Sequence, residues 1–136
     1  MSEESRRTQR RAAAFLLYQR DLTGSEFGPL YAAYERDNGT PPGQFTQTAA
    51  EGVWADREQL DAVIDAAALA WSAERMAVLE RSILRLAVWE LTGGEVPAGV
   101  AIDEAVTLAK RYASPEAGSL VNGILGRVAR EQGVGR

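Results

Sequence analysis

Between Leu79 and Leu91 the chain reads LERSILRLAVWEL, and apolar side chains at 79, 83, 84, 86, 87, 88 and 91 leave only a narrow polar strip on a helical cylinder. A helix that is apolar around most of its circumference is stable only when other helices cover it. The stretch is therefore expected at the centre of a helical assembly. Glu80, Arg81, Ser82 and Arg85 form the strip. Because Arg81 and Arg85 are four residues apart, they leave the helix on one side and predict a cationic ridge. Gly93 and Gly94 end the element, since glycine adopts the left-handed cap conformation at least cost.

The rest of the chain reads as shorter helices around this one. A helix is expected from Pro97 to about Tyr112, with Val100, Ala101, Ala105, Leu108 and Ala109 inward. Its carboxylates Asp103 and Glu104 come early and its cations Lys110 and Arg111 late, as the helix dipole favours. Ser114, Pro115 and Glu116 are a start signal, and Leu120, Val121, Ile124, Leu125 and Val128 are the apolar side of the helix that follows. Toward the N-terminus, Arg6 to about Leu22 should be helical with Ala13, Leu16 and Leu17 inward. A second helix should follow up to Asp37, its start near Pro29. NGTPPG at 38–43 is a loop, and Phe45 to Ala70 is helical again, with Gly52 a candidate dividing point. Trp54 and Trp71 are read as packing residues.

Composition narrows the chemistry. The 136 residues contain no cysteine and no histidine, which removes thiolate metal sites, disulfides, the commonest general base and every Cys or His catalytic pair. Asp61 and Asp65 share a helix face, but a paired acidic face is most simply solvated. The glycines at 93, 94 and 99 are not followed by the GK[ST] of a phosphate loop, and Lys110 is the single lysine. No active site, metal or cofactor is expected. There is no apolar run long enough for a membrane span and no secretory signal, which is compatible with a cytoplasmic protein.

Net charge is −4, yet it is unevenly distributed: residues 1–11 carry four arginines against two glutamates, residues 110–136 are also net basic, and the middle is acidic. Basic ends on an acidic body suggest a local nucleic-acid footprint. Arg6, Arg7, Arg10 and Arg11 occupy an arc of about 140° on a helix. The simplest account is a solvated, solubilising face. However, four like charges at helical neighbour distance, placed at the positive end of the dipole, repel one another, and phosphate would relieve that cost. Tyr112, beside Lys110 and Arg111, could stack on an unpaired base, although an ordinary packing role at a helix end is the alternative.

The succession ILRLAVWEL, VPxxVAIDEAVxLAKRY and LVNGILGRVA, preceded by RRxxRRAAAFLLYQ, resembles the NusB family of bacterial transcription antitermination factors over roughly residues 5–22 and 75–130. Asp103, Trp89, Leu120 and Gly126 depart from the residues usual in that family. The resemblance implies an all-α fold of about seven helices in two packed bundles, residues 1 to about 70 and about 72 to 131. It also implies a NusE partner, boxA RNA of ribosomal RNA leader transcripts as ligand, and a place on the elongating RNA polymerase. RNA contacts are expected from Arg6, Arg7, Arg10 and Arg11, from Glu80, Arg81 and Arg85, and from Lys110, Arg111 and Tyr112. Tyr18, Leu22 and Glu80 are expected to face NusE. Two rival readings are a NusB-like RNA-positioning domain of a ribosomal RNA methyltransferase, which the end of the chain at Arg136 disfavours, and a structural helical homodimer.

Overall fold

In a computed structural model, residues 5–69 and 76–133 are described. They form seven helices: α1 (Arg6–Thr23), α2 (Phe27–Asn38), α3 (Gln44–Ala55), α4 (Arg57–Ala68), α5 (Val78–Gly93), α6 (Ala98–Tyr112) and α7 (Pro115–Glu131). Trp71 and the expected division near residue 70 lie outside the described residues.

The central place of α5 follows from its composition. It packs against α1, α3, α4, α6 and α7, and its Ile83, Leu84, Val88 and Leu91 are essentially fully buried. Around it the core is rich in alanine. Ala13 and Ala14 on α1 and Ala49 and Ala50 on α3 belong to one continuous cluster with Ala101, Ala105 and Ala109 on α6. Small residues let helices approach closely. The α1–α3 crossing is pinned by polar bonds that such proximity permits: the Thr46 hydroxyl donates to the Gln9 carbonyl (3.0 Å), and the Thr46 N–H to the Gln9 side-chain oxygen (3.3 Å).

The helix ends follow local chemistry. Gly94 caps α5 in the left-handed region (φ 77°), and the Ser114 hydroxyl accepts from the Ala117 N–H (3.0 Å) at the start of α7. Three expectations need correction. Helix α2 begins at Phe27, two residues before Pro29, which is accommodated in the first turn where a missing N–H is harmless. The break between α3 and α4 falls at Asp56, where Arg57 folds back to donate to the Trp54 carbonyl (2.7 Å); Gly52 lies inside α3. Gly52 is needed for proximity, since a Cβ there would lie 2.9 Å from the Trp89 indole nitrogen. Val100 is exposed, as α6 turns Ala98, Ala101, Ala105 and Ala109 inward instead.

Helix α2 differs from the others in having no fully buried residue. It is held at its start by Arg20, whose guanidinium lies 4.9 Å from the Phe27 ring and 4.7 Å from the Trp54 ring, and by the Tyr31 hydroxyl donating to Glu51 (2.7 Å). Burial, then the hydrogen bond to Glu51 and that carboxylate's charge, push the Tyr31 phenol well above its ordinary range.

Candidate nucleic-acid interface

The four arginines at the start of α1, Arg6, Arg7, Arg10 and Arg11, meet four different environments. Arg6 is exposed and lies 4.0 Å over the Phe45 ring. Arg7 pairs with Glu104 of α6 (3.2 Å) while 76% of its side chain stays in solvent, so its outer N–H groups remain available. Arg11 is half-buried and makes no ion pair among the described residues; it lines a groove together with Phe15 and Tyr112.

Arg10 corrects the expectation of a phosphate contact. Its Nε donates to both carboxylate oxygens of Glu90 on α5 (2.9 and 3.0 Å), and the two side chains are only 8% and 3% exposed. A guanidinium so enclosed is already neutralised and cannot reach a polyanion without abandoning a buried carboxylate.

Arg81 and Arg85 also form no free ridge. Arg81 donates through Nε and Nη2 to Oδ2 of Asp21 (3.0 and 2.6 Å), and Arg85 binds Asp61 in a two-pronged pair (2.7 and 2.6 Å) while reaching the same Asp21 oxygen (3.2 Å). Two cations and two carboxylates thus tie α1, α4 and α5 together. Burial alone would lower the Arg85 pKa, but the bonds and charges of Asp61 and Asp21 outweigh it and hold it above its ordinary value. Asp61 is therefore a structural partner, where the sequence suggested a solvated face. Asp21 also lies about 15 Å along α1 from Arg11, at 1.5 Å per residue, so the arginines expected to contact RNA divide into an exposed N-terminal group and an internal, neutralised one.

The exposed group is completed by α6. Arg7 meets Glu104, and eight residues further along each helix Phe15 meets Tyr112, so α1 and α6 run in the same direction here. Tyr112 packs its ring edge-on to Phe15 (centroids 5.0 Å apart, planes at 88°) and remains 37% exposed. The Arg111 guanidinium lies 5.5 Å from its centre, and Lys110 is exposed with its stem across Gly118, where a Cβ would have no room. Packing against Phe15 and the nearby Arg111 restrain the phenol while part of it stays in solvent, so little conformational entropy would be lost when a flat ring stacks on it.

At the other end of α1, Leu22 is 57% exposed and Tyr18 is half-buried against Phe15 (6.5 Å). The Arg81–Asp21 pair draws the start of α5, with half-buried Glu80, to this same end. Tyr18 and Leu22, four residues apart on α1, and the start of α5 that carries Glu80 therefore belong to the end of α1 opposite Arg6 and Arg7.

Sequence reasoning missed Glu90, Asp21 and Glu104, the carboxylates that decide which arginines are free. Glu90 carried a signal: a carboxylate within the most apolar helix requires a cation nearby. Asp21 and Glu104 carried none. Among the described residues no cluster of His, Cys, Asp or Glu could hold a metal, and no helix is long and apolar enough to cross a membrane.

Fold and surface together define an all-helical binding protein whose exposed face sets an aromatic ring among cations. A family model described as the NusB family matches residues 7–130. The chain belongs to the NusB family. It is 43% identical to the transcription antitermination protein NusB of Rubrobacter xylanophilus, over 89% of this chain and 87% of that one. It is 41% identical to that of Sorangium cellulosum, over 95% and 94%. Among solved structures it is similar to T. maritima NusB (TM-score 0.81, 31% identity, 96% and 94% covered). It is also similar to a chain in the crystal structure of antitermination factors NusB and NusE in complex with dsRNA (TM-score 0.81, 27% identity, 93% and 96% covered).

Proposed function

We propose that this chain is a transcription antitermination factor that binds RNA together with a NusE partner and acts by binding, without catalysis, in the cytoplasm. The observation that carries the reading is Tyr112, 37% exposed and fixed edge-on to Phe15, with the Arg111 guanidinium 5.5 Å from its ring centre and Arg11 lining the same groove. Arg6, Arg7, Arg11, Lys110 and Arg111 supply phosphate contacts, which position the strand without reading it. Tyr112 stacks on an unpaired base, which favours a single strand over a closed duplex. The ligand is the boxA element of ribosomal RNA leader transcripts. Tyr18, Leu22 and Glu80 take the NusE partner, and the heterodimer with its RNA joins the elongating RNA polymerase. Self-association through exposed Leu22 is the competing use of that end of α1.

Fluorescence anisotropy with a labelled single-stranded boxA oligonucleotide, its duplex and an unrelated strand, each with and without NusE, tests the reading. The single strand should bind most tightly, and NusE should strengthen that binding. Tyr112→Ala should weaken it about 5- to 150-fold, the equivalent of one stacked base, with little change in salt dependence. Equal affinity for all three nucleic acids, unaffected by NusE, would refute it.

A further inference from the structure

Helices α1 and α2 do not close on each other. Between them, open toward the end of α6, lies a groove of about 340 Å³. Its volume lies near the lower end of the range for small-molecule sites, about 300–1,000 Å³. The space exists because both facing helices present small side chains, Ala12 on α1 and Ala33 on α2, and because α2 is anchored at its start by the Arg20 stack. Phe15 and Tyr112 form an aromatic wall, Arg11 stands on one side, and Asp37 and Asn38 belong to the far end of α2.

We propose that this groove is a nucleotide subsite: it takes one base turned out of the RNA strand, with the adjoining phosphate on Arg11. The proposal rests on the RNA reading above and adds α2 to it. The chemistry of the lining selects this ligand class. Neither Arg11 nor Asp37 has an ion-pair partner among the described residues. An isolated phosphate would be repelled by Asp37, an isolated cation by Arg11, and an aliphatic ligand would leave both rims without bonds. A nucleotide carries an anion and an N–H-bearing flat ring a few ångströms apart. It would satisfy Arg11, the aromatic wall and the Asp37 carboxylate together. A carboxylate only accepts, so Asp37 favours a base edge with an exocyclic amine, as when Asp or Glu accepts from cytosine N4. The Asn38 amide already donates to the Tyr34 carbonyl (2.9 Å), which turns its oxygen into a second acceptor.

The test uses the full chain with NusE and a series of boxA oligonucleotides in which each nucleotide in turn becomes an abasic ribonucleotide, removing a base while keeping every phosphate. One position should lose about tenfold in affinity with the unaltered chain. Ala33→Phe, which fills the groove, should remove that loss and leave the salt dependence intact. Asp37→Asn, a surface change that leaves the fold alone, should reduce the preference for cytosine over uracil at the same position. The proposal is overturned if a folded Ala33→Phe variant gives the same abasic profile as the unaltered chain, or if Asp37→Asn leaves base preference unchanged while RNA still binds. Failure of the unaltered chain to bind any RNA would instead overturn the underlying reading, and the subsite with it.

Discussion

Replacing Glu90 with leucine isolates the most consequential interaction inside the molecule. The carboxylate accepts from Arg10 Nε at 2.9 and 3.0 Å, and the Arg10 side chain is only 8% exposed, so the orphaned guanidinium has little access to water. Removing one partner of a buried ion pair typically costs about 3–5 kcal/mol, a large share of the roughly 5–15 kcal/mol that keeps a domain folded. Arg10→Met alone should cost a similar amount by stranding Glu90. The double variant removes both charges and both desolvation penalties, and should return to within about 1 kcal/mol of the unaltered chain or exceed it. Urea unfolding followed by far-ultraviolet circular dichroism measures all four proteins. Because Arg10 is assigned to the interior, the double variant should also keep its RNA affinity and salt dependence. Single costs that simply add in the double variant would refute the pairing. A salt slope reduced by about 0.7, the share of one phosphate on a single strand, would show that Arg10 leaves Glu90 for RNA.

Gly52→Ala should destabilise the chain by about 1–3 kcal/mol despite alanine's better helix propensity, because its Cβ would meet the rigid Trp89 ring at 2.9–3.0 Å; thermal or urea unfolding reads this directly. Tyr31 should ionise well above the ordinary phenol value of about 10, seen as a late tyrosinate absorbance step that Tyr31→Phe removes. Since folding raises this pKa, the Tyr31–Glu51 contribution to stability is complete below the unfolded value and is lost as pH rises through the folded one. Asp61→Ala should destabilise by unpairing the Arg85 fork, and should do so without changing the salt dependence of RNA binding.

The fold was legible because its determinants are local. The apolar circumference of Leu79–Leu91, the glycines after it, and the Ser114-Pro115 start each act within a turn or two of chain, and each appears where the pattern puts it. The α3–α4 boundary was less legible, since glycine can serve either a break or a close approach, and only the Trp89 ring 37 residues away decides which. The charged surface was least legible. A run such as RRTQRR shows how many cations are present, whereas Glu90, Asp21 and Glu104, distant in sequence, determine which remain free. Arg10, Arg81 and Arg85 looked equivalent to Arg11 in sequence and became internal ties in three dimensions.

The salt dependence of single-stranded RNA affinity in an Arg11→Ala/Arg111→Ala variant tests most directly whether the face shared by α1 and the end of α6 holds the strand. Loss of two phosphate contacts should lower the slope of log affinity against log salt by about 1.4, with the circular dichroism spectrum and melting temperature unchanged. A variant that stays folded and keeps the full slope would place the phosphates elsewhere on the molecule and contradict the assignment.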